Sequence, residues 1–459
     1  MGLAGSIARQ QKILVGGLMI KKVLSLIAIC LMLSACQSTP REETIIQSGD
    51  FLNGLTEVPF TPCEAPQRVE QETNATELEI IFAADVIIPD ASAYSIVELE
   101  QIKYTKDDYK GFMEHFCPSA KWFEQPERTK AEILESYWAI QNNTRIPNEQ
   151  KSQFDFMLET AKTAPETAEL IPFDLAAHLQ EEYGFTAWAY RDENEEPSTF
   201  SISPLECSWN YARLPSGTIY QESFLDFDHE EDVYMKKDFQ HEPIISQADA
   251  VSIAQEALDA LGFDSAIKLY SVEKGITYRN FWPVTYGWQC IFTRDYSGIQ
   301  LPDAFGTWST WKNSPPPSYA APWSQEMVVA FVDDIGLNVI GVRGPSKEKD
   351  VLYKNIALLP FNKLLERIEK QLMYQHAYYS DGITEKSCRV TSIELLGSMI
   401  AERNKPGFAL FIPSWRVNYV LSYTEYGTQI VLDDNATFFN AIDGSYIEPR
   451  ASADMLGYS

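Results

Sequence analysis

Ser246-Gln-Ala-Asp-Ala-Val-Ser-Ile-Ala-Gln-Glu-Ala-Leu-Asp-Ala-Leu-Gly262 is the stretch whose pattern decides the fold. Ser246 and Asp249 stand at capping-box spacing and predict a helix after them. Val251, Ala254, Leu258 and Leu261 recur at three- and four-residue steps as one apolar face, and Gly262 falls just past the end. Strands are predicted next at Ile267–Glu273 and Thr285–Arg294. Glu326–Val332 and Leu337–Val342 then read as a hairpin around Asp333-Asp334-Ile-Gly336.

The last third repeats this grammar. Phe361–Tyr374 reads as a helix with Leu364, Leu365, Ile368 and Leu372 on one face. Strands follow at Arg389–Ile400 and Phe408–Val420, joined by the turn Glu402-Arg-Asn-Lys-Pro-Gly407, and a closing hairpin surrounds Asp443-Gly444. Trp415 sits in an alternating strand with a bulge expected near Pro413, which places its ring in the core. Helix, strand, strand, hairpin thus occurs twice with little identity, by duplication or as two independent units of one type.

Upstream, Leu78–Pro89 is β-branched, stops at a Pro-Asp turn and is answered by Ser95–Tyr104, which predicts a strand pair. Helices are expected over Asp107–Phe116, Glu127–Gln141, Asn148–Thr163 and about Leu175–Tyr183, then strands at Thr186–Tyr190 and Ser198–Ser203. Before Leu78, Gln37 to about Thr76 is polar, acidic and broken by four prolines, the composition of a flexible tether.

The unit opening Ile245-Ser-Gln-Ala-Asp-Ala-Val resembles the first helix of a PepSY-type domain. Ile412-Pro-Ser-Trp415-Arg-Val and Asn440-Ala-Ile-Asp-Gly-Ser445 resemble the end of such units, also seen in extracytoplasmic regulators of the YycI/YycH kind. Ala84-Asp-Val-Ile-Ile-Pro89, Phe292-Thr-Arg294 and Leu358-Leu-Pro-Phe361 complete a layout similar to uncharacterised Gram-positive lipoproteins, the family called domain of unknown function 6034. The resemblance implies an envelope location and an α+β repeat; it brings no activity.

Lys21-Lys22, the apolar run Val23–Leu31 and Leu33-Ser34-Ala35-Cys36 form an export signal whose end resembles a bacterial lipobox. The resemblance implies that Cys36 becomes the lipid-modified first residue of the mature chain. Met19 directly precedes the pattern and offers an alternative start. The formal charge of −28 becomes −32 without residues 1–35, which hold four basic residues and no acid. Such a chain repels nucleic acid, so nucleic-acid binding is set aside. Cys63, Cys117, Cys207, Cys290 and Cys388 form no CxxC pair, so a zinc knuckle is unsupported, and any disulfide connectivity stays open.

HExxH, GxSxG and GxxxxGK[ST] are absent, and the three Ser-x-x-Lys spacings lack the partner motifs of a lactamase. The five histidines are scattered and suggest no triad. Asp226-Phe-Asp-His-Glu-Glu-Asp232 with His241 lacks EF-hand spacing and reads as a solvated loop, so no metal site and no cofactor are expected. Pro302 to Trp323 is a long loop carrying Trp308, Trp311, Tyr319 and Trp323. Rings on such a loop suit sugar faces or proline-rich peptides, or they clamp the loop onto its own sheet.

The expectation is therefore an α+β protein with antiparallel sheets, helices on one face and tandem PepSY-like units in its C-terminal half. Its divisions are a signal peptide over 1–35, Cys36 and tether over 36–76, an N-terminal α+β domain over 77–240, and units over 241–345 and 346–459. The function expected is that of a lipid-anchored, extracytoplasmic binding or regulatory module for an envelope protein, peptide or glycan. The rival is an envelope hydrolase using a carboxylate pair without a linear motif.

Overall fold

The Ser246 hydroxyl accepts from the Asp249 amide at 3.1 Å and donates to the Asp249 carboxylate at 2.6 Å, opening the helix Gln247–Ala260. The carboxylate thus takes the serine hydroxyl, whereas in a full capping box it would take the serine amide. At the other end Gly262 has φ +78°. The Phe263 amide bonds the Leu258 carbonyl and the Gly262 amide that of Asp259, a Schellman stop. Ala250, Ala254 and Leu258 are the fully buried residues of the helix.

The computed structural model describes residues 52–74, 78–146, 148–179, 184–190, 197–203, 208–213, 219–221, 237–279, 282–303, 325–376, 382–402, 405 and 407–447. In chain order these form β1 (Arg68–Asn74), β2 (Glu79–Ile87), β3 (Ile96–Gln101), α1 (Lys106–Phe116), β4 (Lys121–Phe123), α2 (Lys130–Gln141) and α3 (Phe156–Thr163). Then come β5 (Phe185–Tyr190), β6 (Ser198–Ser203), β7 (Ser208–Ala212), β8 (Ile219–Gln221), α4 (Gln247–Ala260), β9 (Ile267–Arg279), β10 (Trp282–Tyr296) and β11 (Ile299–Gln300). The chain closes with β12 (Met327–Asp333), β13 (Gly336–Arg343), β14 (Ser346–Tyr353), α5 (Phe361–His376), β15 (Ile383–Ala401), β16 (Phe408–Glu425) and β17 (Thr428–Asn440).

Two sheets result. One runs β1-β2-β15-β16-β3-β14, with β17 on the other half of β16; the second runs β4-β5-β6-β7-β13-β12-β10-β9-β8, with β11 on β10. All pairings are antiparallel but that of β2 with β15. The first sheet carries α5 on one face, over a core from Ile80 and Phe82 through Trp415 and Val417 to Phe439. The second carries α1 and α4 on one face, over Phe200, Tyr211, Ile340 and Phe292. This is the α+β, one-sided arrangement expected from the sequence.

The sheets cross the sequence-drawn boundaries. β2 and β3, from the expected N-terminal domain, join the sheet of the last unit, whereas β5 to β8 join the sheet of the unit before it. β2 and β3 are also not a pair, because β15 and β16 lie between them. The expected tether shortens too: β1 pairs with β2 along its whole length, and the Cys63 amide donates to the Tyr94 hydroxyl at 2.8 Å. Asn355 holds the rest, its Nδ2 donating to the Val58 carbonyl and its Oδ1 accepting from the Tyr94 amide. A proline-rich segment with few amides needs few partners, and Asn355 and Tyr94 provide them.

No register shift occurs at Pro413, contrary to the bulge expected there; it lies directly opposite Gly397. β3 pairs with β16 up to Phe411 and β17 begins its pairing at Ser414, so Pro413 falls in the gap between them. Its carbonyl accepts from Ala441 on that side, and its nitrogen, which has no proton, meets no strand there.

His376, at the end of α5, lies 2.9 Å from the Tyr419 hydroxyl. Burial, and secondarily Lys386, depress its imidazole to about 4. The unfolded chain therefore takes up this proton first as pH falls below the usual histidine value. Stability is expected to drop between about pH 6.5 and 4, with no contribution to the slope above that window. Urea midpoints across this range, for the native chain and His376→Gln, check it: the variant flattens the slope.

Candidate functional site

The register of the second sheet brings together residues that are far apart in the chain. Thr186, Ser201, Asn210, Gly341, Val329, Ile291 and Ser271 are successive cross-strand partners on β5, β6, β7, β13, β12, β10 and β9. One residue along, Ala187, Phe200, Tyr211, Ile340, Ala330, Cys290 and Val272 form the row that packs beneath α1 and α4. Because side chains alternate, the first row faces away from the helices.

On that outer face lies a groove of about 430 Å³, within the range of small-ligand sites. Thr186, Ser201, Asn210 and Gly341 make a low polar floor, and Met327, Val329 and Val339 an apolar wall. The Thr186 and Ser201 hydroxyls are 2.8 Å apart, and each retains further bonding capacity. A Cβ on Gly341 would meet nothing nearer than the Asn210 Cβ at 3.5 Å, so no clash requires glycine there; its bareness opens the floor. Of the fifteen described lining residues Arg343 alone is charged.

Most of that wall is itself buried: Met327 and Val329 are 1% and 5% exposed and pack with Ile291 and Tyr270, whose phenol is raised above its ordinary value by burial. Gln289 is 1% exposed on the same face, and among the described residues neither end of its amide has a partner, nor does Ser271 Oγ. Gln325 Nε2 bonds the Pro302 carbonyl, two residues before Met327.

Trp308, Trp311, Tyr319 and Trp323 lie outside the described residues, as do Cys36, Cys207 and Asp226–Asp232. His241 is described and packs edge-on against Tyr286. Among the described residues no three metal-ligating side chains come together, and no helix is long and apolar enough to cross a membrane. Cys63, Cys290 and Cys388 are free thiols, and burial pushes Cys290 and Cys388 up to about 12, where thiolate chemistry is closed to them.

A carboxylate pair does exist on the other sheet. Lys405 Nζ is 2.9 Å from Glu98 Oε1 and also bonds Glu402. Burial, and then Glu98, raises Glu402, whereas bonds from Lys405 and Glu402 hold Glu98 low against its own burial. The pair sits at the turn between β15 and β16, bridged by the Lys405 ammonium.

The groove escaped sequence reasoning because Thr186, Ser201, Asn210 and Gly341 are small, ordinary residues on four strands. Only the strand order makes them one surface, and no linear signal marks them.

No protein-family model and no curated protein matches the chain. Among solved structures, an uncharacterized protein from Eubacterium rectale ATCC 33656 is similar with a TM-score of 0.44 and 13% identity, covering 84% of this chain and 94% of that one.

Proposed function

We propose that this chain is a lipid-anchored, extracytoplasmic binding module without catalytic activity, resembling PepSY-like lipoproteins, and that the outer groove of the second sheet is its ligand site. The observation that carries the reading is the groove itself: a concave, mostly apolar surface with a few convergent polar groups, where the outer face of a sheet could have been convex and charged. Trp308, Trp311, Tyr319 and Trp323 stay candidate ligand contacts on the strength of their residue type alone. The anchor at Cys36 would hold the groove near the membrane, since each buried CH₂ of an acyl chain contributes about 0.8 kcal/mol.

Thermal unfolding of the full chain against peptidoglycan fragments, oligosaccharides and proline-rich peptides tests the reading. A ligand at about 100 times its Kd stabilises by about 2.7 kcal/mol, a shift of several degrees. That shift should vanish in Gly341→Val, which fills the floor, and shrink in Trp308→Ala/Trp311→Ala. A flat panel, or shifts indifferent to Gly341→Val, would reject the groove as the site. The anchor has its own check: Cys36→Ser should move the protein from the membrane fraction to the soluble one, and unchanged partition would contradict lipidation.

The rival hydrolase reading has one observation behind it, the pair Glu98 and Glu402 with their proton affinities pushed apart. Turnover of any envelope glycan, abolished by Glu402→Gln, would establish it in place of the binder.

A further inference from the structure

We infer that the groove takes a short neutral oligosaccharide whose rings lie across β5, β6, β7 and β13. The inference rests on the groove being the ligand site and adds the class of ligand. Thr186, Ser201 and Asn210 present a hydroxyl, a hydroxyl and a carboxamide on three adjacent strands, in one row perpendicular to them. Neighbouring strands lie about 4.8 Å apart, close to the length of one pyranose unit, so successive groups meet successive rings. A sugar needs uncharged donors and acceptors at its edge and an apolar surface under its C–H face. Val339 supplies that surface beside the polar row; Met327 and Val329 line the same groove but are 1% and 5% exposed and contribute little of it.

Gly341 extends the row with no side chain, which lets a flat ring settle on the backbone. The described lining contains no carboxylate in a chain with 65 of them, so no described residue there selects a cationic ligand. An extended peptide fits worse. Strand addition needs an open sheet edge, whereas β6, β7, β13 and β12 are paired on both sides and their backbone groups are already used.

Isothermal titration of the full chain with triacetylchitotriose, cellotriose and maltotriose, and separately with a proline-rich decapeptide, tests this. At least one trisaccharide should bind, and Thr186→Val/Ser201→Ala should weaken it by about tenfold or more, each change removing a hydroxyl while leaving the fold's core untouched. Gly341→Val should abolish it. Peptide binding sensitive to Gly341→Val without trisaccharide binding would overturn the ligand class and leave the groove as the site. Trisaccharide binding indifferent to all three changes would place the sugar elsewhere and overturn the inference. Silence from every trisaccharide and from the peptide would count against both.

Discussion

Replacing Arg294 with Met should destabilise the protein by about 3–5 kcal/mol, the cost of stripping a buried ion pair of one partner. Arg294 is 1% exposed and Glu326 is wholly buried. The guanidinium bonds Glu326 through Nε at 2.5 Å, Asp264 through Nη1 and the Ser346 carbonyl through Nη2 at 2.7 Å. Burial alone would lower its proton affinity, but Glu326, Tyr296 and Asp264 around it raise it. Glu326 in turn accepts from the amide and hydroxyl of Ser346, the first residue of β14.

The cluster therefore fixes the point where the chain leaves the second sheet for the first. Arg294→Met leaves the Glu326 carboxylate buried with Ser346 as its remaining partner among these bonds. Arg294→Lys should recover little, because a point charge cannot reproduce the fork of bonds. Arg294→Met/Glu326→Leu should recover part, since removing both charges removes the uncompensated one. Urea unfolding of the four proteins checks the order; a loss under about 1 kcal/mol for the single variant would show that the cluster stabilises no more than a surface pair.

Trp415→Ala should cost about 3–5 kcal/mol, the range for deleting a large buried ring. Trp415 is 0% exposed, lies between Leu395 and Phe439 across β16 and meets the Phe361 ring of α5 at 5.4 Å and 62°. Deleting it unseats the helix from its sheet. Its indole nitrogen has no hydrogen-bond partner among the described residues, so Trp415→Phe removes an unsatisfied donor along with some contact area. That variant should lose less than about 2 kcal/mol. Equal losses for both would mean that the ring is held by its nitrogen.

Local chemistry was legible where it decides local structure. Ser246 and Gly262 bracket their helix, Asp333 and Gly336 face each other in their hairpin as the turn sequence required, and Trp415 is in the core. The hairpin between β16 and β17 was invisible because Tyr426 occupies a positive-φ position, where asparagine would have signalled the turn. Its ring compensates by packing against Gly382, where a Cβ would come within 2.6 Å of it. β14 was invisible because Ser-Lys-Glu-Lys-Asp-Val-Leu-Tyr is charged, as an edge strand protected from further pairing should be. The sheet order was beyond reach because β2 pairs with β15 some three hundred residues later, and no property of either strand names the other. The groove inherits that difficulty, since it exists only in the order of strands.

Methyl NMR on the full chain tests the groove most directly. A compound that raises the melting temperature should shift the Met327 methyl and the Val329 and Val339 methyls, while Leu364 and Val390 in the first sheet's core stay in place. Shifts centred on Leu364 and Val390, with Met327, Val329 and Val339 unmoved, would contradict the account and put the binding site on the other sheet.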